Sequence, residues 1–118
     1  MAGMTFFYTA DMVAIDAFYG QKLGAQLWLD QGSCHIYRKD DFLFGFCPRE
    51  KAVTTDQILT FFYPERSQVD QQYRAYRDLA LAEPLYNERF NIYHFFIKDP
   101  EGRLVEFQHF EADIDWDF

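Results

Sequence analysis

The feature that most constrains this chain is an internal repeat. Thr5-Phe6-Phe7-Tyr8 recurs without change as Thr60-Phe61-Phe62-Tyr63. Each copy has the aromatic composition of a strand and leads into a segment with apolar residues at helical spacing. Three short strand-like runs follow the helix in each half. The same order of elements given twice predicts an α+β fold of two βαβββ modules.

The predicted boundaries place both modules in a single domain. Module 1 covers about residues 1–47, a polar linker 48–56, module 2 about 57–110 and an acidic tail 111–118. Asp11 is the predicted N-cap of the first helix, and Ser67 precedes the apolar residues of the second. The tail interleaves acids with apolar residues, which predicts either packing on a partner subunit or a solvated segment; the apolar residues are Ile114, Trp116 and Phe118.

The last predicted hairpin carries a lone acid. Two aromatic-rich runs flank Asp99-Pro100-Glu101-Gly102, a strong turn signal, because proline presets φ and glycine tolerates positive φ. If residues 98 and 103 flank the turn, the numbers of the residues paired across the hairpin sum to about 202, which places Phe96 opposite Glu106 and His94 opposite Gln108. These four side chains share one mixed face, while the other face is apolar and should pack on the helices. A buried acid needs a partner, so this face is the candidate site.

Composition and charge exclude several classes of function. Apolar residues make up 49% of the chain and aromatic residues 20%, too many for a disordered protein. The formal charge of −8 argues against nucleic acid or an anionic membrane as partner and is compatible with a cationic ligand. The chain contains no apolar run of membrane-spanning length and no leader-like N-terminus, so we expect a cytoplasmic protein. We expect Cys34 and Cys47 to be reduced core thiols on opposite faces, because the turn between their strands falls near Lys39-Asp40-Asp41.

The module pattern resembles the vicinal oxygen chelate superfamily, also called the glyoxalase/bleomycin resistance/dioxygenase superfamily. The resemblance covers about Met4–Phe110; it rests on Phe18-Tyr19 and Leu23-Gly24 at the end of the first helix and on Asp99-Pro100-x-Gly102 leading to Glu106. It implies a half-open β cup with helices outside and a homodimer. In enzymes of this superfamily, the first and last strands of each module hold a divalent metal that chelates the substrate.

The resemblance places the four ligand positions of such a metal at Met4, Gly45, Gln57 and Glu106, with Leu59 replacing Gln57 if the repeat is aligned literally. Two oxygen ligands are too few for a catalytic transition metal, so we expect no cofactor. If a divalent metal binds, its ligands would be Glu106 with Gln57 or His94. A set that adds His35 departs further from the pattern of the superfamily.

The preferred function is binding of a small organic, cationic aromatic molecule, as in the drug-sequestering branch of the superfamily. The expected site combines an aromatic bowl with a few polar groups. Its residues are Phe6, Tyr8, Gln57, Phe61, His94, Phe96, Glu106 and Gln108, with Glu106 as the candidate catalytic group. The alternatives are a divergent metal-dependent lyase, isomerase or dioxygenase that retains Glu106, and a protein whose fold serves only assembly.

Overall fold

The computed structural model describes residues 2–50 and 54–116, so part of the predicted linker (51–53) and the last two residues of the tail lie outside the described residues. The chain divides into two units. The first contains Met1–Asp56 with Asp99–Gly102, and the second contains Gln57–Lys98 with Arg103–Phe118. Each unit has one four-stranded sheet with its helix, which confirms the α+β fold of two βαβββ modules.

The first unit has the strand order β1-β4-β3-β2. Strand β1 runs parallel to β4, and the remaining pairs are antiparallel. The first helix begins as an α-helix and continues as a π-helical segment. The elements are β1 (Met4–Thr9), α1 (Met12–Ile15) with its π-helical continuation (Asp16–Lys22), β2 (Gln26–Asp30), β3 (His35–Lys39) and β4 (Phe42–Pro48).

The second unit repeats this arrangement with the strand order β5-β8-β7-β6. Strand β5 runs parallel to β8, and the other pairs are antiparallel. The elements are β5 (Ile58–Phe62), α2 (Arg66–Tyr76), β6 (Leu85–Asn87), β7 (Ile92–Lys98) and β8 (Leu104–Phe110). The predicted pairing of β7 with β8 is confirmed, since Phe96 lies opposite Glu106 and His94 opposite Gln108.

The predicted cap of the first helix is confirmed. The Asp11 side chain accepts a hydrogen bond from the backbone N–H of Ala14 at 3.0 Å. In the second unit, Glu65 caps α2. Its side chain accepts from the backbone of Gln68, while the Gln68 side chain accepts from the Glu65 backbone at 3.0 Å. This reciprocal capping box satisfies two backbone donors at once, which a serine inside the first turn does not achieve.

In each unit, the buried core lies between the helix and one face of the sheet. Tyr19 of the first helix packs its ring 4.9 Å from that of Phe46. In the second unit, the ring of the fully buried Phe107 stacks on the rings of Phe61, Tyr76 and Phe95 at 5.1–5.6 Å. These aromatic stacks hold each helix on its own sheet.

A tyrosine on the same face of the second sheet is tied to the helix. Tyr93 donates a hydrogen bond to Asp70 of α2 at 2.6 Å. Burial, followed by this hydrogen bond and the charge of Asp70, raises the pKa of Tyr93 to about 12. The phenol therefore keeps its proton through the ordinary pH range.

The prediction of two reduced thiols is wrong, because Cys34 and Cys47 form a disulfide with their Cα atoms 4.3 Å apart. The turn between β3 and β4 has two residues rather than three, since Lys39 pairs with Phe42 and Asp40 adopts φ 53°. That register puts the two cysteines opposite each other on one face, whereas a register shifted by one residue would separate them.

In the described part of the chain, no helix has both the length and the apolar character needed to cross a membrane. The cytoplasmic location stays a prediction. The disulfide weighs against it, since such bonds persist mainly in oxidising compartments.

The two identical tetrapeptides do not occupy equivalent positions. Phe7 pairs with Phe46 in the first unit, and Phe61 pairs with Phe107 in the second. Both pairs stack, with ring centroids 5.4 and 5.6 Å apart. The structural partner of Phe61 is therefore Phe7 and not Phe6, so the repeat is displaced by one residue. A displacement of one residue moves every side chain of a strand to the opposite face.

Candidate pocket in the second unit

The second unit contains a pocket of about 560 Å³, a volume typical of sites for small organic ligands. Side chains from β5, β6, β7 and β8 and from the turn between β6 and β7 form its wall. The wall is mostly apolar and aromatic. The lining residues are Ile58, Asn87, Phe90, Ile92, His94, Phe96, Glu106, Gln108 and Phe110.

Glu106 is the centre of the polar part of this wall. It is only 7% exposed, and each of its carboxylate oxygens has a partner. Oε1 accepts from the hydroxyl of Thr60 at 2.8 Å and from Nε2 of Gln108 at 3.2 Å. Oε2 lies 2.6 Å from Nδ1 of His94. These contacts explain how the strand keeps an acid at a buried position.

The backbone register of three strands brings these groups together. Thr60 of β5 and Phe96 of β7 both lie opposite Glu106, which β8 places between them. His94 lies opposite Gln108, one position further along the same face. The ring of Phe96 packs edge to face against His94 at 5.1 Å and supports its orientation.

The permanently charged side chain in the described wall of the pocket is negative. Of the nine lining residues that the structure describes, one is a carboxylate and none is lysine or arginine. The buried charge of Glu106 therefore meets polar neighbours but no permanent cation in this wall. Because the surroundings are apolar, that charge is weakly screened within the pocket.

Four of the predicted site residues lie together in this wall: His94, Phe96, Glu106 and Gln108. The prediction of Gln57 is not met, since this exposed residue precedes β5 and Ile58 takes the place in the wall. Phe61 is 5% exposed and stacks on Phe107 of the helix-facing side, so it lies on the wrong face of the sheet.

Phe6 and Tyr8 belong to the first unit and are not part of this pocket wall. Both are exposed, at 48% and 40%. A Cβ atom added to Gly45 would lie 2.6 Å from two carbons of the Phe6 ring, so Phe6 covers Gly45 closely. The guanidinium of Arg49 lies 4.1 Å from the centre of the Tyr8 ring. Their role as ligand contacts stays a prediction.

The equivalent pair of positions in the first unit is apolar. Gly45 pairs with Phe6, as Glu106 pairs with Thr60 in the second unit. A phenyl ring over a glycine lies where the second unit has a threonine beside a glutamate. The two units therefore share a backbone pattern but not a site.

Sequence reasoning missed several contributors to the pocket. Thr60 and Ile58 could have been found by placing β5 through its pairing with β8 instead of through the repeated tetrapeptide. Asn87 and Phe90 lie at and beyond the end of the short strand β6, where residues show no periodic pattern. Such irregular segments give no signal of side-chain direction.

The residues of the pocket do not fit the metal centre that the superfamily implies. The described residues contain no group of three or more His, Cys, Asp or Glu side chains that could hold a metal ion. His94 and Glu106 lie together, with Nδ1 2.6 Å from the carboxylate, but they are two ligand side chains and not three. His35 has its own partners in the first unit, with Nδ1 2.8 Å from Asp16 and Nε2 3.6 Å from Asp30. Catalytic sites for transition metals normally use three protein ligands.

Comparison with known proteins identifies the fold. No protein-family model and no curated protein sequence matches the chain. Solved structures do match: an integron cassette protein from the mobile metagenome of the Halifax Harbour sewage outfall has a TM-score of 0.79 at 16% identity, covering 92% of this chain and 97% of its own. Lactoylglutathione lyase from Agrobacterium tumefaciens has a TM-score of 0.77 at 19% identity, covering 100% of this chain and 97% of its own.

A glyoxalase/bleomycin resistance protein/dioxygenase from Alicyclobacillus acidocaldarius has a TM-score of 0.78 at 14% identity, with 96% of this chain and 93% of its own covered. The chain therefore has the fold of the vicinal oxygen chelate superfamily, which confirms the resemblance inferred from its residues. At these identities the likeness shows the fold and leaves the activity open.

Proposed function

We propose that the second unit binds a small organic molecule of cationic aromatic type in its pocket, without a catalytic metal. The observation that carries this proposal is the buried carboxylate of Glu106 in a mostly apolar wall, whose described lining residues include no lysine or arginine. A cationic group entering the pocket would gain the attraction of a weakly screened negative charge.

The aromatic part of the wall suits the rest of such a ligand. Phe90, Phe96 and Phe110 line the pocket, and the Phe90 side chain is 63% exposed. An exposed phenyl ring at a pocket wall can stack on a planar ligand, and the guanidinium of Arg89 already lies over the Phe90 ring, 5.3 Å from its centre. The ligand would therefore combine a flat apolar body with a positive charge.

Isothermal titration calorimetry with 4-phenylbenzylammonium and the uncharged 4-phenylbenzyl alcohol tests this function. We expect the cation to bind more tightly than the alcohol. Glu106→Gln keeps the shape of the side chain and should weaken cation binding by about tenfold or more, since contacts with charged groups are typically worth about 1.5–3 kcal/mol.

Glu83→Gln is the matched control, because Glu83 is exposed and does not line the pocket. It should leave the affinity unchanged. Equal affinity for the cation and the alcohol, or no effect of Glu106→Gln, would refute the proposal. Stoichiometric Zn, Ni, Mn or Fe in protein purified without chelator would instead favour the metal-dependent lyase, isomerase or dioxygenase.

We also propose that the protein is a homodimer. The edge strand β2 carries three consecutive apolar side chains, Leu27, Trp28 and Leu29, each 44–46% exposed. Covering such a run stabilises an association. Light scattering during gel filtration tests this, and a mass near the 14.1 kDa of one chain would contradict it.

A further inference from the structure

We infer that the ligand of this pocket donates at least two N–H bonds, and that Glu106 sets His94 and Gln108 as the acceptors that receive them. The inference rests on the proposed function and specifies its ligand. The direct polar contacts would come from the imidazole and the amide, while the carboxylate orients both groups and supplies the charge.

The carboxylate dictates the roles of its neighbours. An ionised carboxylate accepts hydrogen bonds and cannot donate them, so each of its partners must donate. Glu106 has three side-chain partners: the Thr60 hydroxyl, the Gln108 amide and the His94 ring. Threonine can satisfy this requirement by rotating its hydroxyl. The other two partners must adopt one particular orientation.

For His94, the requirement selects the tautomer. Nδ1 lies 2.6 Å from the carboxylate and must carry the proton, which leaves Nε2 of the neutral ring as an acceptor. Among the described residues, Nε2 of His94 has no hydrogen-bond partner. The ring lines the pocket and its side chain is 11% exposed, so a bound molecule can reach it.

For Gln108, the requirement selects the orientation of the amide. Nε2 must face the carboxylate, because the reverse orientation would place two acceptors against each other. Oε1 of Gln108 is buried and has no hydrogen-bond partner in the described part of the chain. A buried acceptor without a donor is unfavourable, so this oxygen calls for a donor from outside the protein.

The two acceptors are neighbours. His94 and Gln108 lie directly opposite each other on β7 and β8, which places their Cβ atoms about 5 Å apart. One small group with several N–H bonds would donate to Nε2 of His94 directly and to the buried Oε1 of Gln108 after a small rotation of the amide. A primary ammonium, an amidinium or a guanidinium has these donors and also the positive charge that Glu106 attracts. A quaternary ammonium has the charge alone.

Calorimetry with a matched pair of probes tests the inference. The pair is 4-phenylbenzylammonium and its N,N,N-trimethyl analogue, which share the charge and the aromatic body. We expect the primary ammonium to bind about tenfold more tightly, as two additional hydrogen bonds would give. Equal affinities, or tighter binding of the trimethyl probe, would overturn the inference and leave the proposed function intact. Binding of neither probe would refute the proposed function itself.

His94→Asn separates the acceptor from the rest of the site. The asparagine amide can replace Nδ1 as the donor to Glu106, but nothing replaces Nε2. This variant should lose most of the preference for the primary ammonium and keep its affinity for the trimethyl probe. His109→Asn is the matched control, since His109 contacts the backbone oxygen of Tyr63 at 2.9 Å and does not line the pocket. An unchanged preference in His94→Asn would contradict the inference.

A measurement on the unaltered protein covers the case in which His94→Asn fails to fold. Nitrogen-15 NMR of labelled histidine reports which ring nitrogen carries the proton, and the chain has only three histidines to assign. We expect the neutral ring of His94 to carry its proton on Nδ1. A proton on Nε2 would overturn the inference whatever the ligand.

Discussion

Replacing Gly45 by alanine tests whether a phenyl ring fills the corner of the first unit that holds an acid in the second. The added Cβ atom would lie 2.6 Å from Cδ1 and Cε1 of Phe6 and 3.4 Å from Cγ1 of Ile36. Carbon atoms in favourable contact are about 3.5–4.0 Å apart, so the ring must move by about 1 Å. Because Phe6 is 48% exposed, it can swing toward solvent, at the cost of its packing on β4.

Two effects of opposite sign determine how much Gly45→Ala changes the free energy of unfolding. Alanine is favoured over glycine within a strand by about 0.5–1 kcal/mol. Overpacking typically costs about 1–3 kcal/mol. We expect Gly45→Ala to lower the free energy of unfolding by about 1 kcal/mol, since the steric cost exceeds the gain in propensity. In a Phe6→Ala background the clash is absent, and Gly45→Ala should raise the free energy of unfolding by about 0.5–1 kcal/mol.

Urea unfolding of the wild type, both single variants and the double variant gives the coupling energy between the two positions. We expect a coupling of about 1.5–2 kcal/mol, within the range for residues in contact. Gly3→Ala is a control without a nearby atom and should be close to neutral. If Gly45→Ala has the same effect in both backgrounds, the Phe6 ring does not cover Gly45, and a phenyl ring does not fill this corner of the first unit.

Three further predictions test other features of the fold. Phe61→Ala should cost about 3–5 kcal/mol and the neighbouring Phe62→Ala about 1 kcal/mol, because only the first side chain is buried; similar losses in urea unfolding would refute the displaced repeat. Replacing Cys34 and Cys47 by serine should lower the free energy of unfolding by about 2–4 kcal/mol, and thiol alkylation with mass spectrometry should find no free thiol in the wild type. The pKa of Tyr93 is raised from 10.0 to about 12, so its contribution to stability is present below pH 10 and is lost as the pH rises toward 12; Tyr93→Phe should reduce this loss in urea titrations, and an unchanged loss would show that other groups cause it.

The hairpin of the second unit could be predicted in detail because its turn is specific. Asp99-Pro100-Glu101-Gly102 marks the region where the two strands separate, and Gly102 adopts φ 89°; Arg103 also lies in the loop, since Lys98 pairs with Leu104. Strict alternation then places every side chain of β7 and β8 on one face or the other. The grouping of His94, Glu106 and Gln108 on one face requires that Lys98 pairs with Leu104, because pairing Lys98 with Arg103 would move His94 to the face opposite Glu106.

The rest of the site could not be predicted because the signals were ambiguous. The mostly apolar run Leu59-Thr60-Phe61-Phe62 has no alternation that reveals which side chains face the helix. The repeated tetrapeptide assigned the wrong side chains to that face. The relative positions of Cys34 and Cys47 were ambiguous for a similar reason. The residues around Asp40 and Asp41 allow either a two-residue or a three-residue loop, and the loop length decides whether the two cysteines share a face. Only the pairing of neighbouring strands resolves such choices.

The two copies of the tetrapeptide share their residues but lie one position apart relative to their strand partners, and this affects how related sequences should be aligned. Matching the first and fifth strands by their shared letters would align Phe6 with Phe61 and would carry functional assignments onto side chains that face the helix. Anchoring instead on Phe7 and Phe61, which stack on Phe46 and Phe107, aligns Thr60 with Phe6 and Ile58 with Met4. The two halves of this chain must therefore be aligned through the residues that pair between neighbouring strands, because aligning the identical tetrapeptides matches residues that face opposite sides of the sheet.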